Sequence, residues 1–175
     1  MALSLYDAII PGNLQIIGAV SGLVDKAEAF GAETGRSEAD MLQAKLAEDM
    51  LPFAYQVKSV AEHSLGAIEA VRTGNYSPDL APPPASYADL RAKLDKAASA
   101  LVALDPAEVD GFIGNDMQFS FRETVIPFTA ENFLLSFSQP NFYFHATTAY
   151  DVLRAEGVAL GKRDFLGQLR IKTAG

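Results

Sequence analysis

Apolar side chains recur at steps of three and four residues along four stretches of the sequence, covering about residues 4–30, 52–73, 86–104 and 130–156. This spacing places them on one face of an α-helix. At 1.5 Å per residue, the longer stretches give helices of roughly 30–40 Å. Their apolar faces are too wide for a two-stranded coiled coil and too narrow for complete burial. We therefore expect the four helices to pack together in one bundle.

Small hydroxyl residues and prolines predict where these helices begin, end or bend. Ser37, Ser86 and Thr129 each precede a helical stretch and predict N-caps, because their side chains can accept hydrogen bonds from free backbone N–H groups. Pro11 falls in the early turns of the first stretch and predicts a start or a bend. Pro140 predicts an interruption of the last helix, about one turn before its histidine.

The periodicity changes before the last helix. Met117, Phe119 and Phe121 alternate with polar residues, which is the period of two expected for a strand. Residues 124–126 can pair back across residues 122–123 as a short hairpin. The sequence therefore predicts an all-α fold, a four-helix bundle with a small β-hairpin before the last helix.

No composition shift or internal repeat divides the chain, so we expect one helical-bundle domain over residues 1–175 with a tail from about 158. Residues 75–84 are rich in proline and predict a stiff, extended connection. The N-terminal residues lack the basic start of a signal peptide, and no run reaches the ~18 apolar residues of a membrane span. We expect a cytoplasmic protein that does not bind membranes.

Composition excludes several kinds of chemistry. The chain has 14 basic and 22 acidic residues and a net charge of −8, which argues against a nucleic-acid-binding surface. It contains no cysteine, which excludes disulfides, thiolate nucleophiles, thiolate zinc sites and iron–sulfur clusters. Two histidines remain as candidate ligands or acid–base groups.

His145 is the strongest of these candidates. It lies among aromatic residues on the last helix, and burial there should lower its pKa. Asn141 lies four residues earlier, on the same face, and Tyr150 belongs to the aromatic surroundings. One interpretation is a buried histidine with a single hydrogen-bond partner. The other is a ligand or an acid–base group.

His63 lies on the second predicted helix and shares its face with Gln56 and Ser59. A histidine at the surface or at the edge of the core is one interpretation. If His63 and His145 met across the bundle, they would supply two nitrogen ligands. Neither histidine has the glutamate three residues earlier that bundle metal sites often use.

The chain also resembles a known group of proteins. Residues 141–167 look like the ending of an uncharacterised bacterial family among the DinB/YfiT-like four-helix bundles. The opening Leu5-Tyr6-Asp7 and residues 49–53 with Gln56 resemble it too. That superfamily typically binds a divalent metal through three histidines, one on the second helix and a His-x-x-x-His pair on the last. The resemblance also implies homodimers.

Transferred to this sequence, the metal-binding pair falls on Asn141 and His145, and the third position falls between Gln56 and His63. An asparagine amide is a poor ligand for Zn²⁺ or Ni²⁺. His145 and His63 are thus the candidate metal ligands, and no metal at all is the expectation we favour. The candidate ligand-binding residues are His145, Asn141, His63, Gln56 and Tyr150.

Three functions follow from this ligand set. We favour a bundle with a degraded metal site that binds a small molecule or serves as a dimeric interaction protein. The alternative is a divalent-metal-dependent thiol transferase or isomerase resembling other DinB-like proteins. The third is a purely structural subunit. Whether the protein is an enzyme stays open at this stage.

Overall fold

A computed structural model describes residues 3–172 of the chain. They are mostly helical, with a small three-stranded sheet. The α-helices are α1 (Leu5–Thr34), α2 (Glu38–Leu42), α3 (Phe53–Ala61), α4 (Ala67–Thr73), α5 (Tyr87–Val102), α6 (Pro106–Asp110), α7 (Ala130–Asn132), α8 (Gln139–Ala155) and α9 (Lys162–Leu166). Two π-helical segments, π1 (Glu62–Gly66) and π2 (Phe133–Ser138), interrupt them, and the strands are β1 (Asn75–Tyr76), β2 (Asp116–Phe121) and β3 (Thr124–Thr129).

Helix α1 is the longest element and packs against α5, α8 and α9. It begins at Leu5 behind an N-cap in which Ser4 Oγ accepts a hydrogen bond from the Asp7 N–H, with 3.0 Å between the two atoms. The prediction of a helix start at Pro11 was therefore wrong, because α-helical structure extends from Leu5 through this residue. Gly35, with a φ of 73°, ends the helix in the left-handed conformation that favours glycine.

By length and composition alone, α1 could cross a membrane, since one 18-residue window has a mean hydropathy of 1.3. Half of that window is buried within the fold. The core helix of a soluble globular domain has the same properties, so this helix is weak evidence for membrane insertion.

Local capping follows the sequence prediction at two of three positions. Ser37 accepts from the Asp40 N–H and Ser86 from the Asp89 N–H, each at 3.1 Å. Thr129 occupies the predicted N-cap position but makes no capping hydrogen bond with its side chain.

The second and fourth predicted helices each contain a π-helical turn. In such a turn the backbone hydrogen bonds span five residues, and the local bonding pattern of the α-helix is lost. Within π1, Ser64 Oγ donates to the Val60 carbonyl at 2.7 Å. Segment π2 ends just before Pro140, which has no N–H and would crowd the Ser136 carbonyl in a regular α-helix. The interruption predicted at Pro140 thus takes the form of a π-helical turn.

The predicted hairpin is confirmed within a mostly helical fold, and it belongs to a three-stranded sheet whose third strand was not predicted. Strands β2 and β3 are antiparallel, with Phe119 opposite Ile126, and Arg122 at the turn has a φ of 53°. Strand β1 pairs parallel to β2 and places Tyr76 beside Phe119. The start of the proline-rich connection thus forms a strand.

The hydrophobic core lies between α1, α3, α5 and α8, which pack on one another in pairs. The largest completely buried side chains are Phe53, Phe133, Phe142, Ile10, Ile17, Leu23, Met41, Leu42, Ile68, Leu90, Leu94 and Leu101. The C-terminal part contains α9, held to α1 by a Lys26–Asp164 ion pair at 2.9 Å and by a hydrogen bond from Gln15 to the Leu166 carbonyl at 2.8 Å. The far end of the core, where π1 faces π2, carries a pocket.

Candidate functional site

A pocket of about 200 Å³ opens between the second helical stretch, the last helical stretch and the edge of the sheet. Its walls combine aromatic rings, two imidazoles and a few polar groups. The lining residues are Tyr55, Lys58, Ser59, Glu62, His63, Tyr76, Pro78, Asp79, Phe119, Phe137, Asn141 and His145. Four separate parts of the chain therefore meet here.

Both histidines of the chain face this pocket. The ring centroids of His63 and His145 are 5.6 Å apart, and the ring planes differ by 13°. The pKa of each is lowered to about 4, mainly by burial, and at His63 the neighbouring His145 contributes to the lowering. Both rings are therefore neutral at pH 7. The lowered pKa of His145 was predicted, and His63 is half-buried, which places it at the edge of the core rather than at the surface.

Gln56 fixes the protonation of the His145 ring. Its Oε1 lies 2.7 Å from Nδ1 of His145, and its Nε2 donates to the Leu51 carbonyl at 2.8 Å. With the amide nitrogen bonded to a carbonyl, the amide oxygen must face the imidazole. An amide oxygen only accepts, so Nδ1 of His145 carries the proton. In the neutral ring the lone pair is then on Nε2.

His63 lies between several aromatic rings. Tyr76 stacks on it at 5.6 Å between centroids, and the Phe137 ring meets it edge-on at 5.9 Å. Burial raises the pKa of the Tyr76 phenol, which is neutral as a result. Within the described residues, Nδ1 of His63 has no hydrogen-bond partner.

The charged groups of the lining are paired. Lys58, only 3% exposed, forms an ion pair with Asp79 at 2.9 Å. Its Nζ also donates to the carbonyls of Asp79 and Ala81, at 3.0 and 2.7 Å. The lysine holds the pKa of the Asp79 carboxyl below its usual value. Glu62 is paired with Lys93 at 2.7 Å.

Four of the five predicted ligand-binding residues come together at this pocket. His63, His145 and Asn141 line it, and Gln56 is hydrogen-bonded to the His145 ring. Tyr150 lies elsewhere, with its ring 6.0 Å from that of Phe165. The Asn141 amide nitrogen donates to the Phe137 carbonyl at 2.7 Å, so its side chain is bonded to the backbone of π2.

The donor set does not fit the three-histidine metal site that the resemblance implies. Two imidazoles face the pocket, and no group of three His, Cys, Asp or Glu side chains suited to a metal occurs among residues 3–172. Zinc sites use at least three protein ligands. Asn141 is bonded to the backbone and Gln56 to His145, and both carboxylates of the lining face a lysine. We therefore derive no chemistry from a metal here.

Sequence reasoning missed Lys58, Tyr55 and Tyr76. Lys58 is the one charged residue within residues 51–61, and this signal could have marked it as a buried charge. Tyr76 has no comparable signal, because its place in the site depends on the pairing of β1 with β2.

The chain is similar to known proteins in sequence and in structure. The sequence profile of the family described as "Domain of unknown function (DUF1993)" matches residues 5–166. The crystal structure of a DinB family member protein from Shewanella denitrificans is similar, with a TM-score of 0.80 and 25% sequence identity, covering 97% of this chain and 96% of that one. The search of curated proteins finds no match.

Proposed function

The chain belongs to the DUF1993 family and has a DinB-like fold, and from this starting point we propose that it binds a small molecule between His63 and His145 without a transition metal. The helix packing of α1, α3, α5 and α8 supports the further proposal that the architecture is a four-helix bundle. Ligand sites in bundles form from side chains on facing helices, and this pocket lies between the second and last helical stretches.

One observation carries the proposal: the only two histidines of the chain both face a single pocket of about 200 Å³. The two rings stack there, with 5.6 Å between their centroids. Small-molecule sites place polar groups beside apolar walls, and this pocket sets two imidazoles and several other polar side chains beside aromatic rings.

The alternative function, a metal-dependent thiol transferase or isomerase, would need ligands beyond the two imidazoles. Metal analysis of protein purified without chelator tests it, with His145→Ala in parallel. We expect less than stoichiometric Zn²⁺, Ni²⁺ and Mn²⁺ in both. A stoichiometric metal that disappears in His145→Ala would overturn our proposal and support the metal-dependent alternative.

Small-molecule binding is tested by NMR, because two histidines give two resolvable imidazole Hε1 signals. A panel of small metabolites is titrated, and we expect at least one to shift both signals in a saturable manner. His145→Ala should abolish that binding, whereas Tyr150→Phe, away from the pocket, should retain it. A panel without any saturable shift at millimolar concentrations contradicts the proposal.

A second proposal is a homodimer formed through the last helix. Tyr143 and Phe144 are adjacent aromatic residues on α8 and are 37% and 57% exposed. Exposed aromatic side chains are enriched in protein interfaces. Sedimentation at micromolar concentration should show a dimer in the wild type and a monomer in Phe144→Glu. A wild-type monomer would refute the dimer and the interaction role that depends on it.

A further inference from the structure

Resting on the proposed small-molecule function, we infer that the pocket takes an uncharged, flat molecule that presents an N–H or O–H donor to Nε2 of His145. A phenol or a neutral nitrogen heterocycle has this chemistry. The hydrogen bond of Gln56 sets the need for a donor, the paired charges around the pocket favour a neutral ligand, and the aromatic walls favour a flat one.

The donor requirement follows from Gln56. Because Gln56 Oε1 accepts the proton of Nδ1, Nε2 of a neutral His145 can only accept. If a ligand placed an acceptor atom there instead, its lone pair would point at the lone pair of Nε2, and the two would repel each other. A buried acceptor left without a donor is costly, so a matching N–H or O–H contributes to both affinity and selectivity.

The preference for an uncharged ligand follows from the ion pairs. Each charged side chain among the lining residues that the structure describes has an opposite charge beside it. Lys58 pairs with Asp79, and Glu62 pairs with Lys93. The polar groups left over are neutral imidazoles, phenols, a serine and an amide. A charged ligand would lose its hydration without gaining a counter-charge.

The flat shape follows from the walls. Rings of Tyr76, Phe119 and Phe137 lie 5.2–6.2 Å from one another, and His63 stacks on Tyr76. Aromatic side chains favour offset or edge-to-face contact with a further ring at such distances. The pocket of about 200 Å³ has the room of about six or seven water molecules at ~30 Å³ each, which suits one substituted ring.

Phenol, anisole and benzoate test the inference as matched probes. Phenol has the ring and the donor, anisole has the ring without the donor, and benzoate adds a charge. Their Kd values are measured from the imidazole Hε1 shifts at pH 7. We expect phenol to bind about tenfold more tightly than anisole, the worth of one hydrogen bond, and benzoate to bind most weakly. Equal binding of phenol and anisole, or tightest binding of benzoate, overturns it.

Gln56 is a positioning residue in this scheme, and its replacement separates that role from a structural one. A long-range ¹H–¹⁵N spectrum should show the proton of His145 on Nδ1 in the wild type. Gln56→Leu should reduce the phenol-to-anisole preference towards one, while Tyr150→Phe, away from the pocket, should retain it. A wild-type proton on Nε2 overturns the inference even if Gln56→Leu does not fold.

The two proposals fail in different ways. If phenol does not bind in the millimolar range while another metabolite does, the ligand class is wrong and small-molecule binding stands. If the protein carries a stoichiometric metal on His145, both the proposed metal-free binding and the inferred ligand class are refuted.

Discussion

The hydroxyl of Ser138 donates a hydrogen bond to the main-chain carbonyl of His63, with 2.8 Å between the two oxygens. Ser138 is the last residue of π2 and His63 the second of π1, so this bond joins the two irregular turns across the fold. π-helical turns frequently occur at functional sites. Here each one lies beside the pocket, and the bond fixes the position of the His63 backbone relative to α8.

Replacement of Ser138 by alanine should destabilise the protein by about 1 kcal/mol, because the carbonyl of His63 loses its donor. It should also shift the NMR signals of His63. Urea unfolding measures the first effect. Ser136→Ala is the matched control, since that exposed hydroxyl bonds only within its own helical stretch and should change stability by less than ~0.5 kcal/mol. Equal losses in both variants would contradict a role for the bond between the turns.

Acid should weaken the fold through the two histidines. Their pKa values are about 4 in the folded chain and near 6.5 when unfolded, so the unfolded chain binds more protons between these values. Their contribution to stability is complete above pH 6.5 and is lost as the pH falls towards 4. Urea midpoints at pH 7, 6 and 5 should decrease in that order, and less steeply in His145→Gln.

The pH range matters for this measurement. Carboxyl groups such as Asp79 and Asp164 have pKa values below the ordinary 3.8 and stay ionised in both states above pH 5. Glu108 and Glu131, whose pKa values lie below 4.5, add a small part near pH 5. Most of the decrease between pH 7 and 5 therefore belongs to the histidines. Identical midpoints at pH 7 and 5 would mean that the rings are solvated like those of an unfolded chain.

Lys58→Met should release the proline-rich segment, residues 77–84, from the rim of the pocket. The variant keeps an apolar stem in place of the lysine stem but loses the contacts to Asp79 and Ala81. We expect a loss of roughly 1–2 kcal/mol and faster amide exchange at Ala81. Lys93→Met, which removes a more exposed ion pair, should leave that exchange unchanged. Unchanged exchange in Lys58→Met would show that the segment is held by other contacts.

Gly167→Ala should detach α9 from α1. Gly167 has a φ of 60° and a ψ of −144°, a conformation open almost only to glycine, and an added Cβ would lie 3.2 Å from both the Ala19 Cβ and the Gln15 carbonyl oxygen. We expect a loss of about 2–3 kcal/mol in urea unfolding. Gly35→Ala, at a φ of 73° in open space, should lose only about 1 kcal/mol. A smaller loss at Gly167 than at Gly35 would contradict the close contact.

Features set within a few residues were predictable from the sequence. Ser37 and Ser86 cap their helices through the N–H three residues later, and the pairing of β2 with β3 needs only a two-residue turn. Gln56 and His63 share a face because seven residues make almost two helical turns.

Features that depend on distant partners were not predictable. Lys58 reaches acceptors 21 and 23 residues away, and β1 joins a strand more than 40 residues later. Whether His63 meets His145 depends on both π-helical turns, and periodicity does not reveal these. The sequence therefore identified both histidines and left their meeting open.

The composition of the pocket wall has a consequence for energetics. Its residues come from the second helical stretch, from Tyr76 and the segment after it, from β2 and from the last helical stretch. A bound molecule is thus coupled to all of these elements together, and it should protect them from hydrogen exchange as one cooperative unit. At a concentration one hundred times its Kd, it would add about 2.7 kcal/mol to the free energy of global unfolding.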